Sequence, residues 1–264
     1  MLPPISKPIP TARIRGKHKF AVDLKYLLLE QLLEIRNTWY WHISFALVLP
    51  IAFVFGFGRI GGDGASIERI LFIISGSAIF SVANDGLFVM ASRIGVMRRD
   101  GILIYYASLP ISNSAFLLAM MISRLLITLP GMIAPLLFGA WLYQIPLSLN
   151  LWVFLLLPIT GLALSSMGMM LGVLIENLDI LHMITNILMF VLVMATPVFI
   201  PVDALPLPLQ VFGYLMPPTY AAEALRVALN GTIDSGFYLN VGILCGMTVA
   251  GFAVVNRWLR IHII

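Results

Sequence analysis

Charged residues are scarce in this chain of 264 residues: they make up 11% of the sequence, whereas hydrophobic residues make up 60%. A soluble domain needs a more highly charged surface than this composition can supply. The hydrophobic residues are concentrated in runs of about 20 residues, the length that crosses a bilayer as a helix. The composition therefore excludes a soluble globular domain and predicts an all-α integral membrane protein.

Several chemical motifs are also missing. Cys245 is the only cysteine, which excludes an internal disulfide and a thiolate metal cluster. No Gly-x-x-x-x-Gly-Lys-Ser/Thr motif for phosphate binding occurs, and the glycine cluster 61–64 lacks the lysine of such a loop. Paired intramembrane aspartates, His-Glu-x-x-His and Gly-x-Ser-x-Gly are absent, which argues against an intramembrane protease or lipid transferase. We therefore expect no enzyme activity, cofactor or metal in this chain.

Six apolar runs predict six transmembrane helices, at about residues 40–58, 68–91, 119–142, 151–175, 181–200 and 237–256. Lysine and arginine favour cytoplasmic loops, so their distribution sets the orientation. Cytoplasmic N- and C-termini place most of these cations inside and leave only Arg59, Arg69 and Arg226 outside. The net charge of +4 is then explained by the lysines and arginines of the cytoplasmic segments. We expect a multi-pass protein of a prokaryote-like inner or plasma membrane.

The N-terminal region precedes a single transmembrane domain, residues 39–264. Residues 1–19 are basic and rich in proline, without the short apolar core of a signal peptide, and predict a flexible arm. Residues 20–38 predict an amphipathic interface helix, which lies flat on the inner leaflet, docks on a cytoplasmic partner, or does both. Its predicted apolar stripe consists of Phe20, Leu24, Leu28, Leu32 and Ile35, with Asp23, Glu30, Glu34 and Asn37 opposite.

A polar stretch separates the second and third predicted spans. We place Arg93, Arg98, Arg99 and Asp100 in a cytoplasmic loop, because four charged groups cannot lie in hydrocarbon. Gly101 breaks the chain, and residues 102–109 predict a short interfacial helix that ends at Pro110. The helix carries two tyrosines, Tyr105 and Tyr106, whose aromatic rings end in a polar hydroxyl group.

Two further polar groups of residues stand out. Asp85 and Arg124 lie at similar depth in the second and third spans, and we predict that they pair, with a proton or substrate site as the alternative. Glu176, Asp179 and His182 recur every three residues after the fourth span. They predict a second cytoplasmic contact or a solvated turn rather than a metal site.

Small residues mark faces where helices approach closely. The fourth span has Gly161, Ser165, Gly168 and Gly172, and the sixth has Gly242, Gly246 and Ala250.

Residues 201–236 contain five prolines and cannot form one continuous helix. The prolines are Pro201, Pro206, Pro208, Pro217 and Pro218. A crossing here would place the C-terminal arginines outside, so the segment predicts a pair of short re-entrant helices on the outer side. Pro218 suits the first turn of the second helix and Gly231 suits its end.

Two segments, in this order and topology, resemble the permease subunits of type-2 ABC exporters (ABC-2), in particular those of the drug- and antibiotic-resistance type. Residues 98–112, RRDGILIYYASLPIS, resemble the coupling segment of that family. Residues 217–226, PPTYAAEALR, resemble its Pro-x-x-Tyr-x-x-Glu-x-x-Arg block. The chain departs from the family at Asp100, where glutamate is common, and at Met216, where asparagine is common.

The resemblance implies an exporter half, in which two permease copies, identical or similar, act with two ATPase subunits that bind ATP and magnesium. Spans two and five would line the path. It implies coupling to the ATPase through Arg93, Arg98, Arg99, Asp100, Gly101, Tyr105, Tyr106 and Pro110. It implies an outer gate that contains Pro217, Pro218, Tyr220, Glu223 and Arg226.

Methionines in spans four and five favour a hydrophobic, lipid-like or drug-like cargo, although they could equally fill the bundle. They are Met167, Met169, Met170, Met183, Met189 and Met194. A permease for polysaccharide or glycolipid export is the alternative, and aromatic residues along the path would favour it. An ion-coupled secondary transporter is a further alternative, with Asp85 as the deep acid.

Overall fold

The computed structural model describes residues 16–36, 39–60, 66–148, 150–195, 206–231 and 233–262. Every regular element in these ranges is helical, which confirms the all-α prediction for them. The helices are α1 (Gly16–Ile35), α2 (Trp39–Ile60), α3 (Ile67–Ala83), a π-helical turn (Asn84–Val89), α4 (Met90–Arg99), α5 (Ile102–Ser108), α6 (Asn113–Tyr143), α7 (Leu151–Leu174), α8 (Leu178–Ala195), α9 (Leu207–Leu215), α10 (Pro217–Asn230) and α11 (Ser235–His262). The glycine turn 61–64, residues 196–205 and most of the predicted arm lie outside the described residues.

Four of the described helices are long and apolar enough to cross a membrane: Ile67–Arg99, Asn113–Tyr143, Leu151–Leu174 and Ser235–Leu259. They coincide with the second, third, fourth and sixth predicted spans. Helices α2 and α8 coincide with the first and fifth, but their described apolar parts, Ala46–Gly58 and Leu178–Val193, are shorter. Six crossings therefore stay a prediction.

The arginines after the second span lie in a helix, so their placement in a loop was wrong. Helices α3 and α4 and the π-helical turn form one continuous helix that ends at Arg99. Arginine is a good helix former, and the chain has no breaker before Gly101. Arg93, Arg98 and Arg99 therefore extend this helix beyond its apolar part.

The π-helical turn packs against the small-residue face of α7. A Cβ atom added to Gly168 would lie 2.2 Å from the carbonyl oxygen of Gly86, and one added to Gly172 would lie 2.6 Å from that of Ala91. Backbone atoms cannot move aside as the end of a flexible side chain can. The absence of a Cβ atom at these two glycines therefore permits the close approach of α7 to the long helix. This confirms the small face of α7 as a helix-packing surface within one chain. Gly242 and Gly246 of α11, by contrast, have no atom within 4 Å of an added Cβ.

The predicted site residues lie at two ends of the bundle. At one end, α10 packs against α3, α7 and α11, and Arg226 Nε donates to Ser75 Oγ near the start of the long helix (3.1 Å). At the other end lie Arg98, α5 and α1. Ser75 and Arg98 are about 35 Å apart along the helix at the α-helical rise. We refer to these as the α10 end and the α5 end.

We expect Gly168→Ala to destabilise the protein, because the added methyl group overlaps a backbone carbonyl oxygen. Overpacking of this kind costs about 1–3 kcal/mol. Thermal unfolding of the detergent-extracted protein measures the effect. Gly246→Ala is the matched control, since its methyl group enters open space, and it should leave the melting temperature unchanged or raised. Equal stability of Gly168→Ala and wild type would contradict the packing.

Candidate functional site

Gly101 forms the turn that separates α4 from α5. Its φ of 73° is left-handed, a conformation that glycine adopts without steric cost. The N–H of Gly101 donates to the carbonyl of Arg98 (3.1 Å), and the carbonyl of Gly101 accepts from the N–H of Tyr105 (3.1 Å). The predicted short helix is therefore present as α5, and it is presented between the two long helices at the α5 end.

Helix α5 has a buried face and an exposed face. Leu103 is only 3% exposed, and the ring of Tyr106 stacks on Phe116 of α6 with centroids 4.6 Å apart. Ile104 and Tyr105 point outward and are 64% and 61% exposed. The described part of the chain places nothing over this outer face, which is apolar apart from the tyrosine hydroxyl.

Helix α1 holds α5 and α4 through its polar residues. Tyr106 Oη donates to the Glu30 carboxylate, and the backbone N–H of Ser112 donates to Asp23 Oδ2 (3.0 Å). Arg93 of α4 donates to Gln31 Oε1 (2.6 Å) and also pairs with Glu34 of α1. Burial, followed by the hydrogen bond to Glu30, raises the pKa of Tyr106, so the phenol remains a donor at neutral pH.

Helix α1 has an apolar outer face in addition to the predicted stripe. Val22, Tyr26, Leu29 and Leu33 recur on one side of the helix and are exposed. Of the predicted stripe, Phe20, Leu24 and Leu28 pack against the core beside buried Leu27, whereas Leu32 is exposed. Gln31 is buried as well, and the exposed Glu30 and Glu34 reach Tyr106 and Arg93.

The three predicted coupling arginines differ in their contacts. Arg93 is bound to α1, as above. Arg98 donates to the carbonyl of Val173 (2.7 Å) and to Glu176 (2.6 Å), and its guanidinium lies 4.8 Å from the ring centroid of Trp258. Arg99 contacts only its neighbour Asp100 within the described chain (2.9 Å), and both side chains are largely exposed. Arg98 therefore joins α4 to α7 and α11, whereas Arg99 is available to a partner.

A polar groove of about 540 Å³ lies between the end of α4 and the start of α8. It is lined by Arg98, Arg99, Glu176, Asn177, Leu178 and Asp179. Asn177 caps α8, because its side-chain oxygen accepts from the N–H groups of Asp179 (2.8 Å) and Ile180 (3.2 Å). His182 hydrogen-bonds Ser92 of α4 (2.9 Å). The described residues contain no cluster of three candidate metal ligands.

Asp85 and Arg124 are both buried, but no ion pair joins them in the described chain. Asp85 accepts a hydrogen bond from Thr128 (2.6 Å), which lies one turn after Arg124 on α6. Arg124 is 5% exposed, and its Nε and Nη1 atoms have no partner among the described residues. The two charges face the same region, and their direct pairing stays a prediction.

At the α10 end, the predicted gate residues lie in α10, where they form its first turn or bind neighbouring helices. The helix begins at Pro217 and ends at Gly231, which is left-handed with a φ of 77°. Tyr220 Oη donates to the carbonyl of Tyr214 in α9 (2.6 Å). Glu223 accepts from Asn240 of α11 (3.3 Å), and the guanidinium of Arg226 lies 3.5 Å from the ring centroid of Phe72. These two side chains thus have partners on other helices.

Comparison with known families decides between the predicted classes. The family model described as ABC-2 type transporter matches residues 23–230, which is most of the chain and includes α5 and α10. The chain belongs to the ABC-2 type transporter family. Membership implies that it is a multi-pass membrane component of an ABC transporter, without an ATPase site of its own and with an ABC ATPase as partner. The resemblance noted in the sequence is confirmed.

Two relatives extend this comparison. YvfS of Bacillus subtilis (strain 168), whose name describes a transport permease, is 23% identical over 230 residues, which cover 86% of this chain and 91% of YvfS. Nodulation protein J of Rhizobium leguminosarum bv. viciae is 27% identical over 104 residues, which cover 39% of this ABC-2 chain and 40% of that protein.

We expect Tyr106→Phe to loosen the contact between α1 and α5 in this ABC-2 protein. A hydrogen bond of this kind contributes about 1 kcal/mol, so amide hydrogen exchange in both helices should accelerate roughly fivefold. Exchange mass spectrometry measures the rates. Tyr105→Phe is the control, because that hydroxyl has no partner among the described residues. Unchanged exchange in Tyr106→Phe would show that the bond is dispensable.

Charge exchange between Asp85 and Arg124 tests their pairing. Asp85→Arg or Arg124→Asp alone leaves like charges buried together, a change that costs about 3–5 kcal/mol. We expect each single variant to lose folded protein and the double variant to recover it, as measured by monodisperse yield in detergent. Failure of the double variant to recover would leave pairing unsupported and make Asp85 a candidate proton site.

Proposed function

We propose that this chain is the membrane-spanning subunit of an ATP-driven exporter, with six spans and both termini in the cytoplasm. The α5 end faces the cytoplasm in this proposal, and α9 and α10 form re-entrant helices on the outer side. The distribution of cations supports this orientation. Those at or near the α5 end include Lys19, Lys25, Arg36, Arg93, Arg98, Arg99 and Arg257.

The observation that carries the proposal is the exposed face of α5. Ile104 and Tyr105 project from a helix whose other face is fixed by Leu103 and Tyr106. An exposed aliphatic and aromatic pair on a rigid support is the composition of a protein interface. We assign this face to the ATPase subunit, with Arg99, Asp100 and Pro110 at its rim and Gly101 as the turn that presents it.

The polar groove supports a second part of the same interface. Arg99 and Asp179 are exposed at its edges, and Glu176 is held by Arg98. A partner with charges of both signs would complement this groove. Arg93, Arg98 and Tyr106 then have an internal role, since they transmit the displacement of α5 to α1, α7 and α11.

The α10 end is proposed as the outer gate. Helix α10 is buried between α3, α7 and α11, and its side chains bind carbonyls of α9 and the hydroxyl of Ser75. Pro217, Pro218 and Tyr220 fix the angle between α9 and α10, and Glu223 and Arg226 attach α10 to its neighbours. Movement of the long helix against α10 would open or close this end.

The proposed cargo is a hydrophobic, lipid-like or drug-like compound. The methionines support both of their predicted roles. Met169 is fully buried and fills the bundle, whereas Met183 is 56% exposed on α8, where it could contact a cargo. A polysaccharide or glycolipid is the second candidate, and one observation favours it. Phe190 is exposed on α8, the fifth predicted span, where an aromatic ring could stack on a sugar. Trp152, by contrast, packs against Phe237 and Tyr238.

We predict that a P-loop ATPase co-purifies with the tagged chain from native membranes in equal ratio, and that Ile104→Ser with Tyr105→Ser removes it. The reason is that the substitutions delete the apolar centre of the interface, where a truncation costs about 2 kcal/mol or more. Quantitative mass spectrometry of the mildly extracted complex measures the ratio.

Tyr214→Ser with Leu215→Ser is the matched control. It removes an exposed tyrosine and an exposed aliphatic residue at the α10 end, so the ATPase should be retained. If the wild-type chain is extracted alone and stays folded, ATP coupling is wrong. The ion-coupled transporter would then be the favoured hypothesis, and Asp85 would be the residue to test.

A further inference from the structure

The long helix and α6 run in opposite directions beside each other. Asp85 of the long helix accepts from Thr128 of α6 (2.6 Å). Four residues earlier on the long helix, the hydroxyl of Ser81 lies directly over Gly131, three residues later on α6. This arrangement fixes the relative heights of the other polar residues on the two helices.

The side chains of Arg93 and Arg124 converge. At the α-helical rise, Arg124 is about 6 Å nearer the α5 end than Thr128, and Arg93 is about 12 Å nearer that end than Asp85. A side chain leans towards the N-terminus of its own helix. Because the helices are antiparallel, the two arginines therefore lean towards each other. Arg93 and Glu34 of α1 are accordingly among the charged groups that act on the Arg124 guanidinium.

Only one of these two guanidinium groups has partners. Arg93 donates to Gln31 Oε1 (2.6 Å), which is buried, and pairs with Glu34. Arg124 is more deeply buried than Arg93, yet its Nε and Nη1 atoms bind no described residue. A buried charge without a partner is costly. The acceptors of α1 that lie closest to both arginines are thus occupied by Arg93 alone.

Arg93 lies on the part of the long helix that can change direction. The π-helical turn Asn84–Val89 separates α4 from α3, and helices bend at turns of this kind. Helix α4 carries Arg93 and continues through Gly101 into α5, whereas Arg124 lies on α6, which packs against α1 and α3. A displacement of α5 would therefore withdraw Arg93 from α1 and leave Arg124 in place.

We propose that Arg124 is a further coupling residue, which binds Gln31 and Glu34 when displacement of α4 has withdrawn Arg93. The exchange gives Arg124 the acceptors that it lacks in this structure. It also keeps α1 attached to the bundle throughout the cycle, first to the long helix and then to α6. The inference rests on the proposed function in one respect: the ATPase displaces α5 when it binds ATP.

Arg124→Met tests the exchange on the complex of this chain with its ATPase. Amide hydrogen exchange of α1 is measured by mass spectrometry, without nucleotide and with ATP plus orthovanadate. We expect the variant to match wild type without nucleotide, because Arg124 has no bond to lose. In the trapped state, α1 should exchange roughly tenfold faster or more, since charged hydrogen bonds are lost only there.

Two further variants complete the design. Gln31→Leu removes the acceptor that both arginines use, so it should accelerate exchange of α1 in both states. Arg69→Met is the matched control, because Arg69 is an exposed arginine at the α10 end, and it should leave α1 unchanged in both states. Equal exchange of Arg124→Met and wild type in the trapped state overturns the inference. Faster exchange without nucleotide, or loss of folded Arg124→Met protein, also overturns it, since either shows a permanent bond of Arg124.

The same preparations separate this inference from the proposed function. The ratio of ATPase to permease is measured on each sample before nucleotide is added. If the ATPase is present and Arg124→Met behaves as wild type, only the exchange of arginines is wrong. If the wild-type chain is extracted without an ATPase, both are wrong, because nothing then displaces α5.

Discussion

The contact between α7 and the π-helical turn sets the geometry of the bundle. Gly168 lets the α7 backbone approach the carbonyls of Gly86 and Leu87, where any larger residue would overlap them. The long helix Ile67–Arg99 is consequently the most enclosed of the four long helices: 78% of its apolar window is buried, against 22% for Ser235–Leu259. Helices α6, α8 and α10 pack around it, so both ends of the molecule are connected through one central element.

At the α5 end, the contacts divide the residues into two groups with separate roles. Arg93, Arg98 and Tyr106 have partners on α1, α7 and α11 and fix the position of α5. Ile104 and Tyr105 contact no other described helix along their outer side. For the interface proposed above this separation matters, because an interface that had to hold its own helix in place would lose its shape each time the partner dissociated. Polar bonds join α1 to α4, to α5 and to Ser112, which precedes α6.

The start of α5 and both ends of α10 could be predicted from the sequence, because Gly101, Pro218 and Gly231 act through local backbone geometry. The extension of the long helix to Arg99 was not predicted. The partners of the charged residues could not be predicted either. Arg93 reaches Gln31 and Glu34 some sixty residues earlier, and Arg98 reaches a backbone carbonyl of α7. Such contacts depend on how helices pack, and a polar helix face looks the same whether it meets water or another helix.

The π-helical turn also fixes the rotational phase of α4. The N–H of Met90 bonds the carbonyl of Asp85, five residues earlier, so the turn holds one residue more than an α-helix would. One residue corresponds to about 100° of rotation around the axis. Arg93 and Arg98 therefore point towards α1 and α7 only because of that additional residue. A regular α-helix through the same six residues would turn both arginines about a quarter of the way round the helix relative to α3.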